Sequence, residues 1–135
     1  MDINNFKAGQ EITTKAKNLP FVAHKGILVP FMGSFYVLHN TINKNVHSEE
    51  YSEFVKNREV LKVEDTDLCV LSAEEILDHF DILKSKKYNL ISYNSEHFVE
   101  EMKHAPVESE TVNQTAKGLA VFVAMFLVVT FIRAI

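Results

Sequence analysis

Apolar positions fall in blocks whose spacing changes along the chain, and that spacing predicts most of the elements. Residues 21–40, FVAHKGILVPFMGSFYVLHN, are rich in β-branched and aromatic side chains and are punctuated by Pro30 and Gly33. This predicts two strands joined by a turn. SEEYSEFVKN, residues 48–57, fits a short helix or an irregular excursion, and DLCVL, residues 67–71, reads as a buried strand. Ser72-Ala73-Glu74-Glu75 then has the form of a capping box, in which the serine accepts one free helix amide and Glu75 reaches back to another. It opens a helix from about Ala73 to Lys84 with Ile76, Leu77, Phe80 and Leu83 on one face. KYNLISY, residues 87–93, alternates as a strand does, and Asn94 is placed to cap a helix from Ser95 to about Lys103, with Phe98, Val99 and Met102 turned inward.

The pattern changes after residue 104. APVESETVNQT, residues 105–115, is polar and reads as a linker, whereas residues 116–135, AKGLAVFVAMFLVVTFIRAI, carry charge only at Lys117 and Arg133. About 20 apolar residues suffice for a helix to cross a hydrocarbon layer of about 30 Å. The expectation is therefore an α+β domain over residues 1–104, an antiparallel sheet with packed helices, followed by a linker and a C-terminal transmembrane helix. The first 20 residues lack the apolar run of a secretory signal, so the expected placement is a single-pass membrane anchor with the N-terminal domain in the cytosol.

Composition narrows the chemistry. At 135 residues the chain has room for one small core. Lysine and arginine number 14 against 18 aspartates and glutamates, a balance that disfavours nucleic acid as a partner. Cys69 is the sole cysteine, so neither an intrachain disulfide nor a cysteine-rich zinc site is possible. Its apolar setting suggests a small packed side chain. His47, His79 and His104 lack metal-like spacing and default to the surface, as do the acidic pairs Glu49-Glu50, Glu74-Glu75 and Glu100-Glu101.

Three residues remain to be explained together: His24 and His39, one on each predicted hairpin strand, and Ser95 on the first turn of the last helix. A helix N-terminus exposes unpaired amides and partial positive charge, which favours an anionic nucleophile or intermediate there. A histidine on a neighbouring strand could take the proton, and a second polar group could fix its tautomer.

AHKGILV, FYVLHN and YNLISYNSEHFVEEM, in that order, resemble the motifs of the lecithin:retinol acyltransferase-like family of the NlpC/P60 group. The resemblance covers roughly residues 5–104. It implies a permuted papain-like fold, with His24 as general base, His39 as the residue that orients it and Ser95 in the place of a cysteine nucleophile. Asn94, Glu96, His97, Phe98 and Val99 match the rest of the family's N-C-E-H-F-V box, with Asn94, Glu96 and His97 as site-supporting residues. The intact flanks favour a replaced cysteine over a natural serine hydrolase or a pseudoenzyme. The activity implied is that of a membrane-anchored thiol acyltransferase or phospholipase A-type hydrolase. It would act on phospholipid esters through an acyl-thioester, need no metal or organic cofactor, and be silent with serine at position 95. The alternatives are a cysteine peptidase or amidase on the same fold and a non-catalytic, membrane-tethered binding module.

Overall fold

The computed structural model describes residues 2–17 and 19–113. After a short 3-10 turn at Ile3–Asn5, the chain forms β1 (Glu11–Ala16), β2 (Leu19–Phe31), β3 (Ser34–Thr41) and β4 (Asn45–Glu50). Helix α1 (Tyr51–Phe54), β5 (Arg58–Glu64), a 3-10 turn at Asp67–Val70, α2 (Ala73–Leu83) and α3 (Ser95–Asn113) follow. All strand pairs are antiparallel, and the sheet order is β4-β3-β2-β1-β5.

The β2–β3 hairpin forms where the sequence predicts it. Its turn is the pair Met32 and Gly33, both with positive φ (53° and 83°), which matches the right-handed twist of the flanking strands. Pro30 does not interrupt β2. It pairs with Phe35 of β3, three residues beyond Ile27, where the β1–β2 ladder ends, so its missing N–H costs no rung on that side.

Alternation along the central strands builds a core on each face of the sheet. Ile27, Val29, Leu38 and Val46 meet Ile76, Phe80, Phe98, Val99 and Met102 from α2 and α3 on one side. Leu28, Val37 and Ile12 meet Phe6 and Phe54 on the other. The capping box of α2 is present, with Ser72 Oγ accepting from the Glu75 amide at 3.1 Å and Glu75 Oε1 from the Ser72 amide at 3.2 Å.

Three element expectations are corrected. DLCVL is a 3-10 turn because Thr66 captures it: its hydroxyl accepts from the Leu68 amide, and its own amide meets Cys69 Sγ at 3.5 Å. Leu68 is buried there, but Val70 is exposed. KYNLISY is a loop, pinched by reciprocal backbone hydrogen bonds between Asn89 and Tyr93, with the Asn89 side chain accepting from the amides of Ile91 and Ser92. The last helix passes Lys103 and continues to Asn113.

The fold class is corrected as well: the described residues form a small α+β fold with a five-stranded antiparallel sheet and three helices, not a papain-like domain with a transmembrane helix. Among the described residues no helix is long and apolar enough to cross a membrane. α3, the longest, carries Glu96, Glu100, Glu101, Lys103, Glu108 and Glu110. The apolar stretch 116–135 lies outside the described residues, so the single-pass placement with a cytosolic domain, drawn from that stretch, does not stand.

Candidate functional site

The site gathers where the β2–β3 ladder ends. The last rung toward the N-terminus of β2 is Gly26 against His39. His24, two residues further, shares the sheet face of Leu28, and its Nε2 lies 2.9 Å from His39 Nδ1. The two rings meet edge to face, and both pack against Phe54 of α1, at centroid distances of 5.9 and 4.9 Å.

Residue 40 faces the other way. Asn40, fully buried, donates from Nδ2 to the Tyr93 carbonyl at 2.9 Å and more weakly to that of Asn94 at 3.4 Å. It ties the start of α3 to the sheet. Asn94 caps the helix as the sequence predicts, its Oδ1 accepting from the amides of Glu96 and His97 at 3.0 and 3.2 Å. His97 returns the contact, its Nδ1 accepting from the Asn94 amide at 3.2 Å. This is the reciprocal logic of a capping box with an imidazole in place of a carboxylate. Glu96 lies 3.7 Å from Lys25 Nζ.

Ser95 is buried at the head of this helix, and its Oγ accepts from the Lys25 amide at 3.5 Å. It therefore touches the backbone one residue from His24. Since Lys25 extends toward Glu96 on α3, strand alternation turns His24 to the opposite face, toward His39 and Phe54. The two histidines are thus hydrogen-bonded to each other, whereas the Ser95 hydroxyl is engaged by a main-chain amide.

Burial dominates the electrostatics. It lowers the pKa of His24 to about 4, with Arg58 and His47 adding repulsion. It lowers that of His39 to about 2, helped by His47, His24, Arg58 and Lys44. Both rings are neutral at pH 7. Glu49 Oε1 lies 3.2 Å from His39 Nε2, yet the approach is not aligned as a hydrogen bond, and His39 Nε2 is buried without one. With His39 neutral, this is a carboxylate beside an uncharged ring and not an ion pair.

A cavity of about 410 Å³ opens over this face, lined in part by His24, His39, His47, Glu49, Arg58 and Tyr88. The Arg58 guanidinium is fixed there, donating to the Phe54 carbonyl at 2.9 Å and lying 4.6 Å above the Phe54 ring.

Sequence reasoning missed His47, Glu49, Arg58 and Asn40. The available signal was the alternation of His47 and Glu49 on one strand, which puts both side chains on one face. It was hidden because residues 48–57 read as a helix or excursion and not as the end of β4. His79, assigned to the surface, is buried in α2, and His104 is exposed. Cys69 is half-buried.

Comparison with known proteins assigns no family: no protein-family model matches the chain, and no curated protein or solved structure matches it.

Proposed function

We propose that the junction of β2, β3 and α3 is an acyl-transfer site acting on an ester, with phospholipid esters as the substrate class, and that serine at position 95 holds it in a silent form. The observation that carries this reading is the 2.9 Å contact between His24 and His39 next to Lys25, whose amide reaches residue 95 at the head of a capped helix. The resemblance of residues 93–102 to the cysteine box of lecithin:retinol acyltransferase-like proteins supports the same assignment.

With cysteine at position 95, the thiolate would attack the ester carbonyl. His24 lies on the opposite face of β2 with its Nε2 against His39, so its ring would have to turn toward the head of α3 to take the thiol proton and return it to the leaving lyso-lipid oxygen, and an acyl-thioester would remain. Water then completes hydrolysis, whereas an amine or alcohol completes transfer. His39 keeps His24 in one tautomer and orientation. The amide of residue 95, on the first turn of α3, is a donor at hand for the oxyanion. An unperturbed thiol ionises near pH ~8.5, within reach of a helix N-terminus and an imidazole, whereas a serine hydroxyl forms no comparable anion. A base lowered to about 4 is too weak to change that.

The test is Ser95→Cys in the full chain, incubated with mixed phospholipids and peptides and examined by mass spectrometry for an acyl adduct on residue 95. A lipid-derived adduct is expected. Adding His24→Ala should slow its formation by about 10²–10⁴-fold, the usual contribution of a general base. Equal rates in the two variants would remove His24 from the mechanism, and a peptide-derived adduct would assign peptidase or amidase chemistry. The engagement of the Ser95 hydroxyl by a main-chain amide favours one other reading, a binding module that retains the cleft without catalysis. Absence of any adduct in the cysteine form would support it.

A further inference from the structure

We propose that His39, His47 and Glu49 form a binding site for a divalent transition-metal ion of the Zn²⁺ type. One nitrogen from each ring and one carboxylate oxygen lie within 4.8 Å of one another. β3 and β4 are paired with His39 opposite His47, and Glu49, two residues on, presents its carboxylate to the same face.

The second contacts of the two rings point to the same nitrogen as ligand in each. His47 Nδ1 lies 2.8 Å from the Asn45 carbonyl. A carbonyl only accepts, so Nδ1 carries the proton and Nε2 keeps a lone pair. His39 Nδ1 is taken by His24 Nε2, and His39 Nε2, on a side chain only 1 % exposed, is buried with no hydrogen bond. An unsatisfied ring nitrogen at such depth costs free energy comparable to a lost hydrogen bond unless something coordinates it. Metal-bound histidines characteristically engage the second nitrogen with a carbonyl or other polar group, which fixes the ring. Both rings do so here.

The spacing fits the ion. With metal–ligand distances of about 2.0–2.1 Å, tetrahedral ligands stand about 3.3 Å apart. His39 Nε2 and Glu49 Oε1 are already 3.2 Å apart, and the three ligand atoms lie within 4.8 Å of one another, so side-chain rotation of His47 and Glu49 has to draw the set together around the ion. Two imidazoles and a carboxylate match the donor preference of Zn²⁺ and not that of Ca²⁺ or Mg²⁺. Three protein ligands beneath an open cavity leave the fourth position for water or an anion, and the fixed Arg58 cation in the same cavity favours the anion. This binding does not rest on the acyl-transfer reading: with His39 Nε2 on the ion, His39 Nδ1 donates to His24 Nε2 and occupies the lone pair that reading asks of His24.

The experiment is calorimetric titration of the chelator-treated full chain with ZnCl₂, repeated with Co²⁺ while the visible absorption is recorded. One Zn²⁺ per chain is expected, with a Co²⁺ band of tetrahedral or five-coordinate intensity. Affinity should fall at least tenfold in Glu49→Gln and in His47→Ala, each verified as folded by circular dichroism. It should also fall about 10–100-fold in His24→Ala, which removes the partner of His39 Nδ1, and remain unchanged in the exposed control His104→Ala. As a readout that needs no variant, ¹⁵N spectra of the parent should show Zn²⁺ moving the Nε2 resonances of two histidines. Absence of binding by the parent, unchanged affinity in folded Glu49→Gln and His47→Ala, loss of binding in His104→Ala, or unmoved Nε2 resonances would each overturn the proposal.

Discussion

Asn40 offers a sharp test of how the sheet holds the start of α3. Its Nδ2 faces the Tyr93 carbonyl at 2.9 Å in a fully buried position. Both carbonyls it reaches have other partners, the amides of Asn89 and Phe98, and its own Oδ1 is buried without one. Asn40→Ala therefore orphans no carbonyl and should cost only the net value of a hydrogen bond, about 1 kcal/mol. That corresponds to a fall in Tm of about 4–8 °C for a domain of this size. Asn40→Asp is different, because an ionised carboxylate would then face a carbonyl oxygen in the core. Burial raises a carboxyl pKa by up to about 3–5 units. A rise of about 3 units, from ~3.9 to about 7, costs about 4 kcal/mol at ~1.36 kcal/mol per unit.

The sign follows from linkage. The folded-state pKa lies above the unfolded one, so the penalty is complete above pH ~7, shrinks as pH falls, and vanishes below ~3.9. At pH ~5 about 1.5 kcal/mol of it remains. Once protonated, the carboxyl O–H can also donate to Tyr93 in place of the lost amide. Urea unfolding of parent, Asn40→Ala and Asn40→Asp at pH 5 and 8, followed by far-UV circular dichroism, should show the alanine penalty unchanged with pH. The aspartate penalty should grow by about 2.5 kcal/mol between pH 5 and 8. An aspartate penalty that stays constant or shrinks toward pH 8 would mean that residue 40 is solvated and does not anchor the helix.

Two further predictions concern packing and charge. Gly26→Ala would place its Cβ 2.4 Å from Val37 Cγ1 and 3.0 Å from the Leu38 carbonyl, so overpacking should cost about 1–3 kcal/mol. In a Val37→Ala background thermal melts should show a clearly smaller cost, and strict additivity would refute the clash. Lys103 Nζ lies 3.1 Å from Glu11 Oε1, on a carboxylate only 3 % exposed. Lys103→Met should destabilise by about 2 kcal/mol, less than the ~3–5 for a fully buried pair because the lysine is partly solvated. Adding Glu11→Gln should recover much of that loss in denaturant titrations, and a double variant as weak as the sum of the singles would show that the two groups do not interact.

Local chemistry was readable from the chain alone. The hairpin, the Ser72–Glu75 box with α2, and the Asn94 cap with the inward face of α3 all rest on residues within one or two turns of each other. Interactions at that range are encoded by side-chain type and spacing. Where a single side chain competes with periodicity, the pattern misled: Thr66 winds DLCVL into a 3-10 turn and Asn89 folds KYNLISY into a loop, because a captured amide outweighs weak alternation in so short a segment. β1 and β5, short and mixed with charge, gave no signal of their own and exist as strands through their pairing with each other and with β2. Which histidine meets which partner was beyond the sequence altogether. The β2–β3 register sets His24 against His39, the β3–β4 register brings His47 and Glu49 to the same face, and burial then sets the charge of both site rings. Spacing along the chain could nominate His24, His39 and Ser95. Tertiary structure alone joined the two rings to His47, Glu49 and Arg58 and set Ser95 against a main-chain amide, because contacts between strands depend on register and on which side of the sheet each residue faces.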